Sequence, residues 1–278
     1  MYEMQLFFRY PSFRHKALTF SYDDGVYQDR RLIDILRAHG MRGTFNLNSG
    51  LTGKNPGWLM TKEECLDLYK ESDTEVAMHA YTHPWLDQQP ENVVTYEILR
   101  DRVELEGMFR RSVCGFAYPF GTYNDTVIRA LRGAGAKYAR TVESTHAFGL
   151  PTDWLRLHPT CHHKDASLFE LADRYLGWEE NTRRPGGSPM SMFYVWGHSY
   201  EFDTDRNWDV IERFAEKMAD KKDIWYATNM ELYRYAEAVS RVEISPDGGI
   251  CYNPSAVDIY FYKGGKPYVV HAGEELCL

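Results

Sequence analysis

Two short runs carry residue types that can do chemistry: Asp23-Asp24-Gly25, at the end of an apolar stretch, and His79-Ala80-Tyr81-Thr82-His83. Two histidines four apart share one face of a helical turn, so both rings can reach a single ion. One carboxylate from a distant strand end completes a three-ligand set for a divalent metal and leaves open positions. An open position on a metal is where a water becomes a nucleophile. The second aspartate then stands beside the metal as a candidate base. His198, after the apolar run 191–196 and Gly197, is a further titratable group at a strand end, and Gly197 is expected to let the backbone turn sharply.

The elements that must position these residues follow from the pattern. A strand is expected over 17–22, a helix over 29–39 stopped by Gly40, and a strand over 43–47. Thr61 and Glu64 form a capping box at the start of the next helix. A strand over 75–79 runs into the histidine pair, and a long helix covers 90–111. Strands follow over 113–118, 137–142, 155–160, 191–196 and 224–228. Asn124 caps one helix between them, and others span 166–176, 208–219 and 231–238. Strands alternating with helices predict a parallel sheet covered by helices. A barrel fits better than an open sheet, because the chemical residues all fall at C-terminal strand ends. The expected organisation is a barrel domain over 1–240 and a small β-hairpin appendage over 241–278, where Gly248-Gly249 and Gly264-Gly265 mark turns.

The bulk numbers bound the partners. The chain has 278 residues, 44% of them hydrophobic, which is enough for a sizeable core. A net charge of −8 argues against a nucleic-acid partner. No run has the length of a membrane helix. The five cysteines are unclustered and read as buried thiols, and the first ten residues do not resemble a signal peptide, so a cytoplasmic location is the expectation.

With these residues placed, the chain resembles the polysaccharide deacetylase family, carbohydrate esterase family 4. Ser21-Tyr22-Asp23-Asp24-Gly25 is similar to the family's first motif, Thr-Phe-Asp-Asp-Gly. His79 to His83 is similar to the second, and Ala117-Tyr118-Pro119-Phe120-Gly121 to the third, with Ala117 where the family has arginine. His198 is similar to the last motif's histidine, and Asp153-Trp154 has the residue types of the fourth. The resemblance implies a distorted (β/α)7 barrel. It implies Asp24, His79 and His83 as metal ligands, Asp23 as base and His198 as acid, with the Phe120 N–H at the oxyanion. Tyr118 and Trp196 are candidates to meet the substrate, and Arg140 or Arg156 to replace the missing arginine. Zinc suits the ligand set, while cobalt, nickel, manganese or iron are allowed. The implied substrate is an N-acetylated carbohydrate. Two other readings share the site: a silent relative that binds glycans, and a hydrolase of another amide or ester.

Overall fold

The computed structural model describes residues 5–70, 74–178 and 189–278. A short strand, β1 (Leu6–Arg9), precedes the first long one, β2 (Lys16–Asp23). Strands and helices then alternate: α1 (Asp29–Ala38), β3 (Gly43–Leu47), α2 (Lys62–Tyr69), β4 (Thr74–Met78), α3 (Glu91–Phe109), β5 (Gly115–Ala117), α4 (Asp125–Gly133) and β6 (Tyr138–Arg140). The series continues with β7 (Cys161–His162), α5 (Leu168–Leu176), β8 (Ser191–Gly197), α6 (Tyr200–Thr204), α7 (Trp208–Met218), β9 (Ile224–Tyr226) and α8 (Asn229–Ser240). The tail holds β10 (Glu243–Ile244), β11 (Ile250–Tyr252), β12 (Ile259–Lys263), β13 (Lys266–Val270) and β14 (Glu275–Cys277).

Seven parallel strands pair in the order β6-β5-β4-β3-β2-β8-β7, and β9 pairs with the start of β2. The sheet curls until its two ends meet. Leu157 N–H donates to Ala139 O and Thr141 N–H to Leu157 O, while Thr160 N–H donates to Tyr194 O. The segment before β7 therefore runs between β6 and β8 as the last stave, giving the expected α/β barrel-like fold.

Period-two alternation decides what faces inward. Leu18, Phe20 and Tyr22 of β2 join Phe45, Leu47, Val76, Met78, Phe116, Phe193 and Val195 in the core under the helices. Each such side chain contributes roughly 1.5–3 kcal/mol when fully buried. The intervening residues form a polar interior. Thr19 Oγ1 donates to Asn229 Oδ1, Asn229 Nδ2 donates to the Tyr194 hydroxyl, and Asn46 Nδ2 donates to Ser21 Oγ. This column leads up β2 to Asp23, so an inward carboxylate at the strand end meets partners rather than hydrocarbon.

The helix signals read from sequence hold. Thr61 and Glu64 close a capping box, Asn124 accepts the Val127 N–H, and Gly40 follows α1 at φ 65°. Three expectations need correction. Residues 154–156 form a 3-10 turn, because the Asp153 side chain accepts the Leu155 N–H and bends the chain, and the strand starts only at Cys161. The tail is more than a hairpin. β12 and β13 pair as one, but β1 adds a third strand to them, and β10, β11 and β14 form a second antiparallel sheet. These sheets share a core with Tyr10, Ala17 and Tyr235, at the end of β2 opposite Asp23. Finally, Cys277 is exposed and Cys114 half-buried, so only three of the five thiols lie in the interior. Among the described residues, no helix is long and apolar enough to cross a membrane.

Candidate active site

Asp24, His79 and His83 converge. Their ligand atoms all lie within 4.8 Å of one another. His79 Nε2 is 3.1 Å from His83 Nε2 and 3.8 Å from Asp24 Oδ1, and His83 Nε2 is 4.0 Å from the same oxygen. The two histidines do not share a helical turn. β4 ends at Met78, and the loop brings His83 back through left-handed backbone at Ala80 (φ 62°) and His83 itself (φ 58°). Asp24 is left-handed too, at φ 80°. Non-glycine residues in this region cost free energy and persist only where the surroundings dictate them.

Those surroundings are visible. Glu97 on α3 accepts the Thr82 N–H at 2.7 Å and its hydroxyl at 2.8 Å. Asn48 Nδ2 donates to Ala80 O at 2.8 Å. Asp101, one helical turn beyond Glu97, accepts the His79 N–H at 3.0 Å and both the N–H and hydroxyl of Ser49. Burial pushes the Asp101 carboxyl up to about 7 against these hydrogen bonds. Glu97 and Asp101 were missed in the sequence. Their signal was two acids four apart on the same stripe as Val94, Ile98 and Leu105.

The donor set fits a metal. His79 Nδ1 lies 2.8 Å from Ala117 O, a contact that requires N–H on that nitrogen and leaves Nε2 as a bare lone pair toward the cluster. Burial, opposed by Asp23, holds His79 at about 4, so the ring is neutral as ligation requires.

Asp23 sits beside the triad and is buried. Arg140 Nη2 donates to Oδ1 at 2.7 Å and to Oδ2 at 2.5 Å, and Asn46 Nδ2 donates to Oδ1 at 2.7 Å. Burial alone would lift this carboxyl, but Arg140, with His79 and His198, holds it well below the usual carboxylate range. Arg156 pairs instead with Asp153 and Asp125, away from Asp23. Asn46 was another residue missed, although its alternation with Thr44 in a buried strand marked it as inward polar.

His198 closes the other side, with Nε2 3.8 Å from Asp23 Oδ2. Ser199 anchors the turn by donating to Asp29 Oδ1 at 2.5 Å. Gly197 serves a different purpose from the one expected. It has no left-handed backbone; instead a Cβ there would come within 2.1 Å of the His163 ring. Burial opposes a charge on His198, but Glu201 and Asp23 outweigh it and raise the ring above the ordinary histidine value.

Phe120 lies at the rim in left-handed backbone, φ 56°, its ring stacked on Trp85 at 3.9 Å and edge-on to His83 at 4.5 Å. Tyr118 and Trp196 are wall residues rather than exposed platforms. The Tyr118 hydroxyl donates to Leu155 O inside the protein. Trp196 is nearly buried, with the Arg140 guanidinium 4.4 Å from its ring. Asp153 and Trp154 are spent elsewhere, on Arg156 and on Tyr233.

Three side chains with converging ligand atoms, a buried aspartate held by arginine, and a histidine near that aspartate stand together at the barrel mouth. Residues 11–139 match the polysaccharide deacetylase family. The matched segment carries Asp23, Asp24, His79, His83 and Phe120, while Arg140 and His198 lie beyond it. No curated protein matches the chain. Among solved structures, the chain is similar to a family 4 carbohydrate esterase of Streptomyces lividans in complex with acetate, at 19% identity over 76% of this chain and 90% of that one, TM-score 0.49. It is similar to the Streptococcus pyogenes deacetylase PplD in complex with acetate, at 22% identity over 50% of this chain and TM-score 0.45. It spans 61% of that protein's length. A family 4 pseudoenzyme from Bacillus anthracis matches at 17% identity over 82% of this chain and 68% of its own, TM-score 0.47.

Proposed function

We propose that this protein is a divalent-metal-dependent hydrolase that removes acetyl groups from the nitrogen of N-acetylated sugars. The observation that carries the reading is the convergence of Asp24, His79 and His83 beside an aspartate clamped by Arg140. Asp24 Oδ1, His79 Nε2 and His83 Nε2 would hold the ion, and a carboxylate with two imidazoles suits zinc. When bound, such an ion polarises an acyl oxygen and makes water a stronger acid.

The chain's own residues do the rest. Asp23 is ionised throughout the working range because Arg140 faces it, so it can accept a proton from the attacking water at Oδ2. Asn46 and Arg140 together hold the carboxylate still, which keeps the acceptor oxygen aimed. The Phe120 N–H is offered to the oxygen that gains charge. His198, raised above its ordinary value, donates from Nε2 to the departing amine, which cannot leave easily as an anion. The exposed rings of Trp58, Trp85 and Phe120 offer flat apolar faces to a sugar.

Arg140 also bears on the silent-relative reading. The motive for that reading was Ala117 in place of the motif arginine, and a guanidinium reaches the same aspartate from the neighbouring strand. Metal-loaded protein is expected to release acetate from N-acetylglucosamine oligomers, and chelator-stripped protein is not. Binding of the oligomers without acetate release, across a panel that includes O-acetyl sugars and small amides, would sink the proposal.

A further inference from the structure

Glu201 belongs to none of the motifs above, yet four basic side chains surround it. Its Oε2 is 3.3 Å from His198 Nδ1, 3.2 Å from His162 Nε2 and 3.5 Å from His163 Nε2. The same oxygen accepts the His198 backbone N–H at 3.1 Å. The Lys164 ammonium lies 3.6 Å from Oε1 and also pairs with Asp205 at 2.7 Å. The sequence His162-His163-Lys164 thus wraps one carboxylate. Neighbouring residues on a strand point to opposite faces, and the two rings pack differently, His162 against Trp196 and His163 against Tyr22 and Phe202, yet at the end of β7 both come near the same carboxylate. The His163 ring stacks against Phe202 at 4.1 Å and fills the space that Gly197 leaves open.

Two chemistries suit such a cluster: a second metal ion on His162, His163 and Glu201, or a carboxylate that orients an imidazole. The hydrogen bonds separate them. The Lys164 N–H donates to His162 Nδ1 at 3.1 Å. That nitrogen therefore holds the lone pair, and the ring proton is on Nε2, aimed at Glu201. A metal would need Nε2 bare. The Lys164 ammonium beside the other carboxylate oxygen adds a positive charge against a cation. What remains is a carboxylate gripped from β7 and presented to His198.

We infer that Glu201 is the positioning residue for His198, and that His162 and Lys164 hold Glu201 in place. The inference rests on the reading of His198 as the proton donor. Accepting the Nδ1–H fixes the tautomer and the ring plane, which turns Nε2 toward Asp23 and the ligand triad. In the cleavage step the Nε2 proton moves to the amine nitrogen as its bond to the acyl carbon breaks. The ring is then neutral and keeps its Nδ1 proton on Glu201. A carboxylate three residues beyond the histidine, on the first turn of α6, does this without any contribution from Asp153.

The test uses the full-length protein and its Glu201→Ala and Glu201→Gln variants, loaded with zinc. Imidazole nitrogen and proton NMR assigns the His198 tautomer, metal analysis counts zinc, and acetate release is followed on an N-acetyl sugar oligomer and on an activated acetyl ester. The wild type is expected to show a hydrogen-bonded Nδ1–H on His198, lost in the alanine variant and retained but weakened with glutamine. Turnover of the amide falls about 10²-fold in the alanine variant, a typical cost for removing such an outer partner, with KM nearly unchanged. The ester suffers little, and glutamine, which keeps an acceptor oxygen, loses less than alanine. An unaltered His198 signal in the alanine variant would overturn the assignment. So would two zinc ions in the wild type with one lost on substitution, or equal losses on both substrates. A wild type inert toward every N-acetyl sugar would refute the deacetylase reading alone, because the NMR result still decides the Glu201 contact.

Discussion

Arg140 and Asp23 form a buried ion pair across the barrel mouth, one guanidinium nitrogen reaching both carboxylate oxygens at 2.7 and 2.5 Å. The family's third motif carries this charge on the strand of Ala117. Here it comes from β6, paired in register so that Ala117 lies directly beside Arg140. Inward positions of neighbouring strands at the same level face the same point, which is why the exchange preserves the contact.

Removing one partner of a buried pair leaves the other charge stranded, at a cost of about 3–5 kcal/mol. Arg140→Met is therefore expected to lower stability and turnover together. Adding Asp23→Asn to it should restore stability, though not activity, because no charge is left unpaired. Urea unfolding of the two single variants and the double variant measures this. A double variant no more stable than Arg140→Met would show that the pair is not what binds these residues together.

Asp23→Asn alone separates base from ligand. The proposed ligands are Asp24, His79 and His83, so a variant at Asp23 is expected to keep its metal. Turnover should fall on the order of 10²–10⁴-fold through loss of the proton acceptor. Metal analysis beside acetate release checks both halves. Loss of the ion would place Asp23 among the ligands.

The ligands themselves are tested by occupancy. Asp24→Ala, His79→Ala and His83→Ala should each lower zinc content after dialysis, and the double histidine variant should abolish it. Asp101→Ala touches no ligand ring, but it frees the His79 backbone. A drop in affinity of roughly 10- to 100-fold is the usual scale for such support. Unchanged zinc affinity on titration would confine Asp101 to packing.

These residues show where the sequence was legible. The helix caps at Thr61 and Asn124 are local hydrogen bonds within one turn, so spacing alone revealed them. The convergence of Asp24, His79 and His83 was legible because strand ends in a barrel share one rim. The loop between His79 and His83 was not, since its left-handed residues are imposed by Glu97 and Asn48 from elsewhere. The Arg140 contact was narrowed to two candidates, and only the register of β5 and β6 chose between them. Glu201 was not picked out although it stands three residues beyond His198, because its other partners, His162 to Lys164, come from the end of β7 far away in the sequence. Tyr118 and Trp196 stood next to motifs in sequence, yet Tyr118 follows the end of β5 with its hydroxyl spent on Leu155, and Trp196, inward like Tyr194, is nearly buried beneath Arg140.

His163 gives the protein a pH signature independent of activity. Burial, helped by His162, pushes this ring down to about 2, so it stays neutral in the folded protein. In the unfolded chain it titrates near 6.5 as an ordinary histidine. Between those values the unfolded state binds more protons. The contribution to stability is fully present above about pH 6.5 and declines as the pH falls, by at most about 1.4 kcal/mol per pH unit for one group. His163→Phe preserves the stack on Phe202 and removes the proton. The wild type should therefore lose stability relative to this variant as pH falls from 7 to 4. Parallel curves from urea unfolding across that range would show that His163 is charged in the fold.

His198 is tested by the leaving group. Its ring reaches toward Asp23 from the far side of the triad, and three nearby carboxylates raise it despite burial. Because its value is raised, the ring is protonated to a higher pH than a free histidine, which suits an acid working near neutrality. An amine needs that proton to depart, while an activated phenolate does not. His198→Ala is thus expected to slow acetate release from an N-acetyl sugar on the order of 10²–10⁴-fold, with zinc content retained. On an activated acetyl ester the loss should be far smaller. The amide rate of the wild type should also fall on the alkaline side, where the ring loses its proton, and that limb should vanish in the variant. Equal losses on both substrates, or an alkaline limb that survives the substitution, would assign the donated proton to another group.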